Sequence, residues 1–260
     1  MMSTAVTTRL TPASDRRPNV VKLKVFWKTA RKWTETDIAA YHDAAPQLAK
    51  QIQDELYWHK TGQVRSNRFT CEDFALRVLA QFASSRGLPL KLETGVRTYR
   101  NMEIYGQPEH DRYDSTMYGF TEMVGLTYGA SDMQRSHSNT TRLSGPETLL
   151  SGDILAQAND RAGVAHHIQL VLDPGPSTIS IMQGNSSGVI VRPFTSALRL
   201  LGLNRADPQN NAYAGMLLER GHYTRRGSQW DYTNTTTGTV VADFLKIFQP
   251  YRWNFAEFNR

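Results

Sequence analysis

The sequence predicts an α+β fold in which a helix packs on an antiparallel β-sheet, and three observations carry that prediction. Cys71, Phe74, Ala75, Val78, Leu79 and Phe82 recur at helical spacing as one apolar stripe. After Gly145-Pro146 the pattern turns to short apolar runs, GDILAQ, HHIQLVLD, STISIMQ and GVIVRPF, divided by turn-forming pieces such as NDRAG and DPGPS. These four runs are expected to form a meander. The aromatic stretch VVADFLKIFQPYRWNFAEFN then packs back on the domain.

Taken in order, residues 1–20 are rich in Ser, Thr, Pro and Arg and predict a flexible N-terminal arm. Residues 21–260 predict a single domain with an insertion at about 94–145. VVKLKVFW, from Val20 to Trp27, alternates as a strand does. From Thr34 the run TETDIAAYHDAAPQLAKQIQDELYWHK has helix spacing, with Pro46 expected to end or kink it. His42 and His59 fall in this region and receive no role. Thr70 stands at an N-cap with Asp73 placed to close a capping box, so Cys71 falls in the first turn of the next helix. Gly87 and Pro89 end that helix, and an extended stretch starts at Leu88. Weak periodicity over 94–145, which holds His110 and His137, predicts a lid or helical insertion over a site. YAGMLLERG and WDYTN are further extended candidates.

Composition narrows the function classes. No stretch approaches the roughly 20 apolar residues of a membrane span, and MMSTAVTTRL has no signal-peptide pattern, so synthesis in the cytoplasm is expected. A single cysteine excludes an internal disulfide and a cysteine-rich metal site. The net charge of +6 suits an anionic polymer, but the 30 Lys and Arg are scattered, without the basic, aromatic-interleaved run that nucleic acid requires.

A thiol in the first turn of a helix lies beside unfilled backbone amides at the positive end of the helix dipole, and both favour a thiolate. Free cysteine is also among the most buried residue types, so position alone fits a small core filler as well. A thiol nucleophile needs an imidazole to carry its proton and a third group to orient that imidazole. If HHIQLVL pairs with STISIMQ through DPGPS, His167 and Gln183 meet near one end of the hairpin, where the amide oxygen can accept from the ring. Gly152-Asp153 suits a turn entering a strand, and Asp153 is read as structural. Asp173-Pro174-Gly175 admits a transglutaminase-type Cys/His/Asp triad, though it is also an ordinary hairpin turn.

These residues resemble the NlpC-type papain-like cysteine peptidases, whose nucleophile helix begins Phe-Asp-Cys-Ser-Gly-Leu. The matching run is Phe69-Thr70-Cys71-Glu72-Asp73-Phe74. The family's Pro-Gly-Asp-Leu strand is matched by Ser151 to Leu155, and its His-Val-Gly-Ile-Tyr strand by His167 to Val171. The following strand is matched by Met182 to Val189, so four blocks fall in order over about residues 65–193. The sequence departs at Thr70 and at Glu72-Asp73, which replace an Asp and a Ser-Gly. The resemblance implies a papain-like fold with Cys71 as nucleophile, His167 as base and Gln183 as orienting group. His166 is the alternate base and Asn185 the alternate third residue. His167 is preferred because Ile168 inward and Gln169 outward continue the family's phase.

The resemblance further implies a hydrolase of amide bonds in peptidoglycan stem peptides, with no cofactor or metal. With no signal peptide, an antibacterial effector carried by a type VI secretion machine to a target cell's periplasm, or a phage lysis or tail enzyme, is expected. An immunity protein that blocks the cleft is the expected partner. An intracellular cysteine deamidase or acyltransferase, and a non-catalytic scaffold of the same fold, are the alternative readings.

Overall fold

A computed structural model gives the fold and describes residues 22–58, 64–105, 113–188, 190 and 203–260. The arm at 1–20, His59, His110 and most of the GVIVRPF run lie outside the described residues. The first strand, β1 (Lys22–Val25), leads to helix α1 (Glu35–Asp54). Thr34 caps α1 reciprocally: its hydroxyl accepts from the Asp37 N–H while the Asp37 carboxylate accepts from the Thr34 N–H.

Helix α1 runs through Pro46, against expectation. The ring removes one backbone hydrogen bond, but Tyr41, Ala45, Ala49 and Ile52 are buried on both sides of it, and that packing holds the turns together. The helix stops at Asp54, short of Lys60, where the helix-spaced run ends. There the Glu55 carboxylate is drawn off by Arg77 (3.0 Å) and Asn67 (2.7 Å), and β2 (Leu56–Trp58) pairs antiparallel with β3 (Val64–Ser66).

Helix α2 (Cys71–Ser85) follows, and Gly87, at φ +62°, ends it. Its burial exceeds a single stripe: every residue from Cys71 to Ala80 is buried, the charged Glu72, Asp73 and Arg77 among them. Helices α1 and α3 (Met117–Gly125) flank it. Between α2 and α3 come β4 (Lys91–Glu93), β5 (Thr98–Arg100) and β6 (Met102–Tyr105), with β4 paired to β5 and β6 to β1.

Eight strands form one antiparallel sheet: β7 (Thr140–Arg142), β8 (Ile154–Gln157), β9 (His167–Pro174), β10 (Thr178–Gln183), β11 (Glu219–Arg226), β12 (Gln229–Asn234), β13 (Val240–Val241) and β14 (Phe248–Trp253). Their spatial order is β13-β12-β11-β10-β9-β8-β14-β7, and α4 (Phe255–Phe258) follows β14. Among the described residues the fold is therefore α+β, four helices with an eight-stranded antiparallel sheet.

Strand alternation divides the core in two. Ile154, Ile168, Leu170 and Met182 join the helical core on which α2 rests, while Leu155, Val171, Ile179, Ile181 and Tyr223 form a second cluster. Both faces of β9 are thus covered, so Gln169 is 1% exposed rather than turned outward to solvent. Gly152 is fixed by its surroundings: its φ is +86°, and a Cβ there would lie 2.7 Å from the Tyr41 ring. Asp153, fully buried, is held by Arg252 at 2.6 Å and by the Leu150 N–H at 2.7 Å.

Candidate active site

A cleft of about 990 Å³ opens where α2 begins. Cys71, Glu72, His166, His167 and Asn185 line it, and so do Val96, Ala130 and Arg135 of the 94–145 segment. Part of that segment is integral to the fold, since Phe120, Met123, Val124 and Tyr128 belong to the helical core.

The start of α2 is fixed by contacts from distant sequence. The Thr70 hydroxyl accepts from the Asp73 N–H at 3.4 Å, as an N-cap does. The return bond of a capping box is replaced by a tyrosine bridge. The Thr70 N–H donates to the Tyr213 hydroxyl at 3.1 Å, and that hydroxyl donates to Asp73 at 2.7 Å. Burial and the neighbouring carboxylate push the Tyr213 phenol well up, so it keeps the proton that this bridge needs. Phe69 and Met216 exchange backbone bonds of 2.9 and 3.1 Å, which strap the same turn to the chain before β11. At the end of β10, Gly184 passes so close that a Cβ would meet the Thr70 carbonyl at 2.5 Å. That contact brings the β9–β10 hairpin against the first turn of α2.

The Cys71 thiol donates to the Glu72 carboxylate at 2.9 Å, and Glu72 is only 3% exposed. The expected thiolate therefore faces a competing anion at rest. His167, the first residue of β9, contacts Gln183, the last of β10, through Nε2 and Oε1 at 2.9 Å. The same amide oxygen accepts from Gln169 Nε2 at 2.9 Å, while Gln183 Nε2 donates to Glu219 at 3.0 Å. The Tyr223 hydroxyl donates to Gln169 Oε1 at 2.7 Å, and Asn234 Nδ2 donates to Glu219 at 2.7 Å. The result is a polar network across β9, β10, β11 and β12, with Gln169, Gln183, Tyr223 and Asn234 buried. Desolvation holds the His167 imidazole below its usual range, opposed by the Gln183 bond and by the charges of Glu72 and Glu219. A neutral ring with Nε2 committed to Gln183 leaves Nδ1 as the nitrogen able to take a proton.

The structure thus brings Cys71, His166, His167 and Asn185 to one cleft, with Gln183 buried behind His167. The two histidines differ in their partners. His166 precedes β9, and its Nε2 lies 3.7 Å from Asp160. Among the described residues no side-chain hydrogen bond joins Asn185 to either histidine. Asp173 stands near the other end of β9, about 20 Å from His167 at the usual strand rise. Strand geometry therefore removes it as the third member of a triad.

Tyr213, Glu219 and Asn234 receive no role from the sequence, and Gln169 enters there only as an outward-facing strand residue. Gln169 carries a faint signal, a polar residue inside an apolar strand. Glu219 carries none until β11 is known to pair with β10, Gln183 opposite Glu219. No metal-binding cluster of His, Cys, Asp or Glu occurs among the described residues. Comparison of the chain with protein-family models, with curated proteins and with solved structures gives no match.

Proposed function

We propose that the chain is a papain-like cysteine hydrolase of NlpC type that cleaves an amide bond in peptidoglycan stem peptides. One observation carries the reading: the thiol of an α2 first-turn cysteine and an imidazole oriented by a buried amide line the same cleft. In this mechanism His167 Nδ1 takes the Cys71 proton and the sulfur attacks the amide carbonyl. Backbone donors of the first turn of α2 hold the oxyanion, because the opening amides of a helix have no intrahelical acceptor. The imidazolium returns its proton to the leaving amine, giving a thioester and a free amine. Water, deprotonated by His167, then attacks the thioester to release the acid and regenerate the thiol.

Purified wild-type and Cys71→Ala protein incubated with sacculi, followed by chromatography and mass spectrometry of the muropeptides, test the proposal. New peptide ends from the wild type alone are expected, and they identify the bond. Unchanged sacculi with folded wild-type protein would refute it. Delivery to a target periplasm, with an immunity protein that fills the cleft, belongs to the same proposal. Periplasmic expression is then expected to lyse cells while Cys71→Ala does not.

A second reading, a non-catalytic scaffold, is favoured by the bond from Cys71 to Glu72, which stabilises the neutral thiol. A thiol that resists alkylation in the folded protein is its signature.

A further inference from the structure

We propose that Glu219, held by Asn234, is a positioning residue that sets the tautomer of His167 through the amide of Gln183. This rests on the reading of His167 as the base of Cys71. The constraint begins at groups whose polarity is fixed. The backbone N–H groups of Thr236 and Thr237 can only donate, and both donate to Asn234 Oδ1 at 3.0 Å. The Asn234 amide is thereby oriented, and its Nδ2 must face Glu219, where it donates at 2.7 Å. An ionised carboxylate accepts only, so Glu219 also draws the NH₂ side of Gln183, at 3.0 Å. Gln183 Oε1 is then turned to His167, and the ring nitrogen 2.9 Å away has to carry a proton.

Each link removes one ambiguity from the next, so the state of an imidazole on β9 is determined from the turn after β12, three strands away. Gln169 supports the same orientation by donating to Gln183 Oε1, but its own amide is held by a hydroxyl, which can reverse its role. Glu219 is the member that cannot reverse. An acidic residue at this place, beside an uncharged orienting amide, gives the site a fixed direction of polarity. A glutamine alone, free to flip, would not supply it.

The tautomer is measurable without substrate, by proton–nitrogen correlation spectra of protein carrying nitrogen-labelled histidine. The chain has 7 His, and a His167→Gln sample assigns the signal. Wild type is expected to hold His167 as the Nε2–H form. Glu219→Leu is expected to raise the ratio of Nδ1–H to Nε2–H form by roughly tenfold or more, the factor carried by one hydrogen bond to a charged group. Glu219→Gln keeps an acceptor oxygen and is expected to retain the wild-type pattern. A purely structural role for Glu219 would lower thermal stability and leave the tautomer unchanged. An Nδ1–H ring in wild type overturns the proposal, even if Glu219→Leu does not fold. So does a folded Glu219→Leu protein with the wild-type spectrum. A pattern that follows Glu219 while sacculi remain uncut leaves this inference standing and removes the peptidoglycan reading.

Discussion

Replacing Glu72 by Gln tests the feature that most opposes a reactive thiol. In the resting protein Cys71 donates to the Glu72 carboxylate at 2.9 Å. Loss of the thiol proton turns that hydrogen bond into a pair of anions. At this separation two unit charges repel by about 1.4 kcal/mol in bulk water and by about 6 kcal/mol at an effective dielectric of about 20. Glu72 is 3% exposed, so the aqueous figure is a lower bound. Glutamine keeps the volume and an acceptor oxygen but removes the charge, and the thiolate fraction at neutral pH rises at least about tenfold. A less basic thiolate is a weaker nucleophile, which takes back a factor of about three. Alkylation of Cys71 by iodoacetamide at about pH 7 is therefore expected to quicken at least roughly threefold in Glu72→Gln, with the order reversing at high pH, where both thiols are ionised and the wild-type thiolate is the stronger nucleophile. The rate is followed by mass spectrometry of the intact chain. Equal rates across the pH range, in a folded variant, would show that the carboxylate does not govern the thiol.

Three other perturbations reach different parts of the molecule. Arg252→Leu strands the fully buried Asp153 carboxylate, for a loss of about 3–5 kcal/mol and a fall in Tm on the order of 10 °C. A calorimetric loss below about 1 kcal/mol would contradict that account. Gly184→Val presses a side chain on the Thr70 and Phe69 carbonyls. It is expected to lower Tm and to change the pH profile of Cys71 alkylation, and a profile identical to wild type would mean that the hairpin does not position the thiol. Burial lowers the imidazoles of His42 and His167 below the unfolded value of about 6.5. Below that pH the unfolded chain binds protons that the native chain refuses. The stability present above about pH 6.5 is thus lost as pH falls, by up to about 1.4 kcal/mol per unit for each histidine. Urea midpoints at about pH 7 and 5.5 measure this, and equal midpoints would refute it; His42→Gln should flatten the slope by one proton.

What the sequence makes legible follows the range of the interactions concerned. The α2 stripe, its Gly87 stop and the β9–β10 hairpin are local patterns, and each falls close to its expected place. The contact of His167 with Gln183 is legible for the same reason, because one short turn relates the two positions. Pro46 inside α1 misleads because local propensity yields there to tertiary packing. The cap of α2 misleads because a hydroxyl from Tyr213, 143 positions away from Thr70, takes the place of the expected return bond. Glu219 and Asn234 are invisible for a related reason: residues 184–218 separate β10 from β11, and no sequence period spans them. The pairings of β14 with β8 and with β7 are equally non-local.

The place of β14 bears on how the molecule comes into being. Phe248–Trp253 sits inside the sheet, between β8 and β7, although it comes last in sequence among the eight strands. Until it pairs, β7 lacks its neighbouring strand among the described residues and β8 shows an open edge next to the strand that carries His167. Such long-range pairing is slow, and open edges invite pairing with other chains. A nascent or prematurely ended polypeptide lacking this segment is thus a sticky species rather than a smaller version of the same protein. Removal of residues from Phe248 onward should yield aggregates, read by size-exclusion chromatography, whereas a soluble monomer would refute this account.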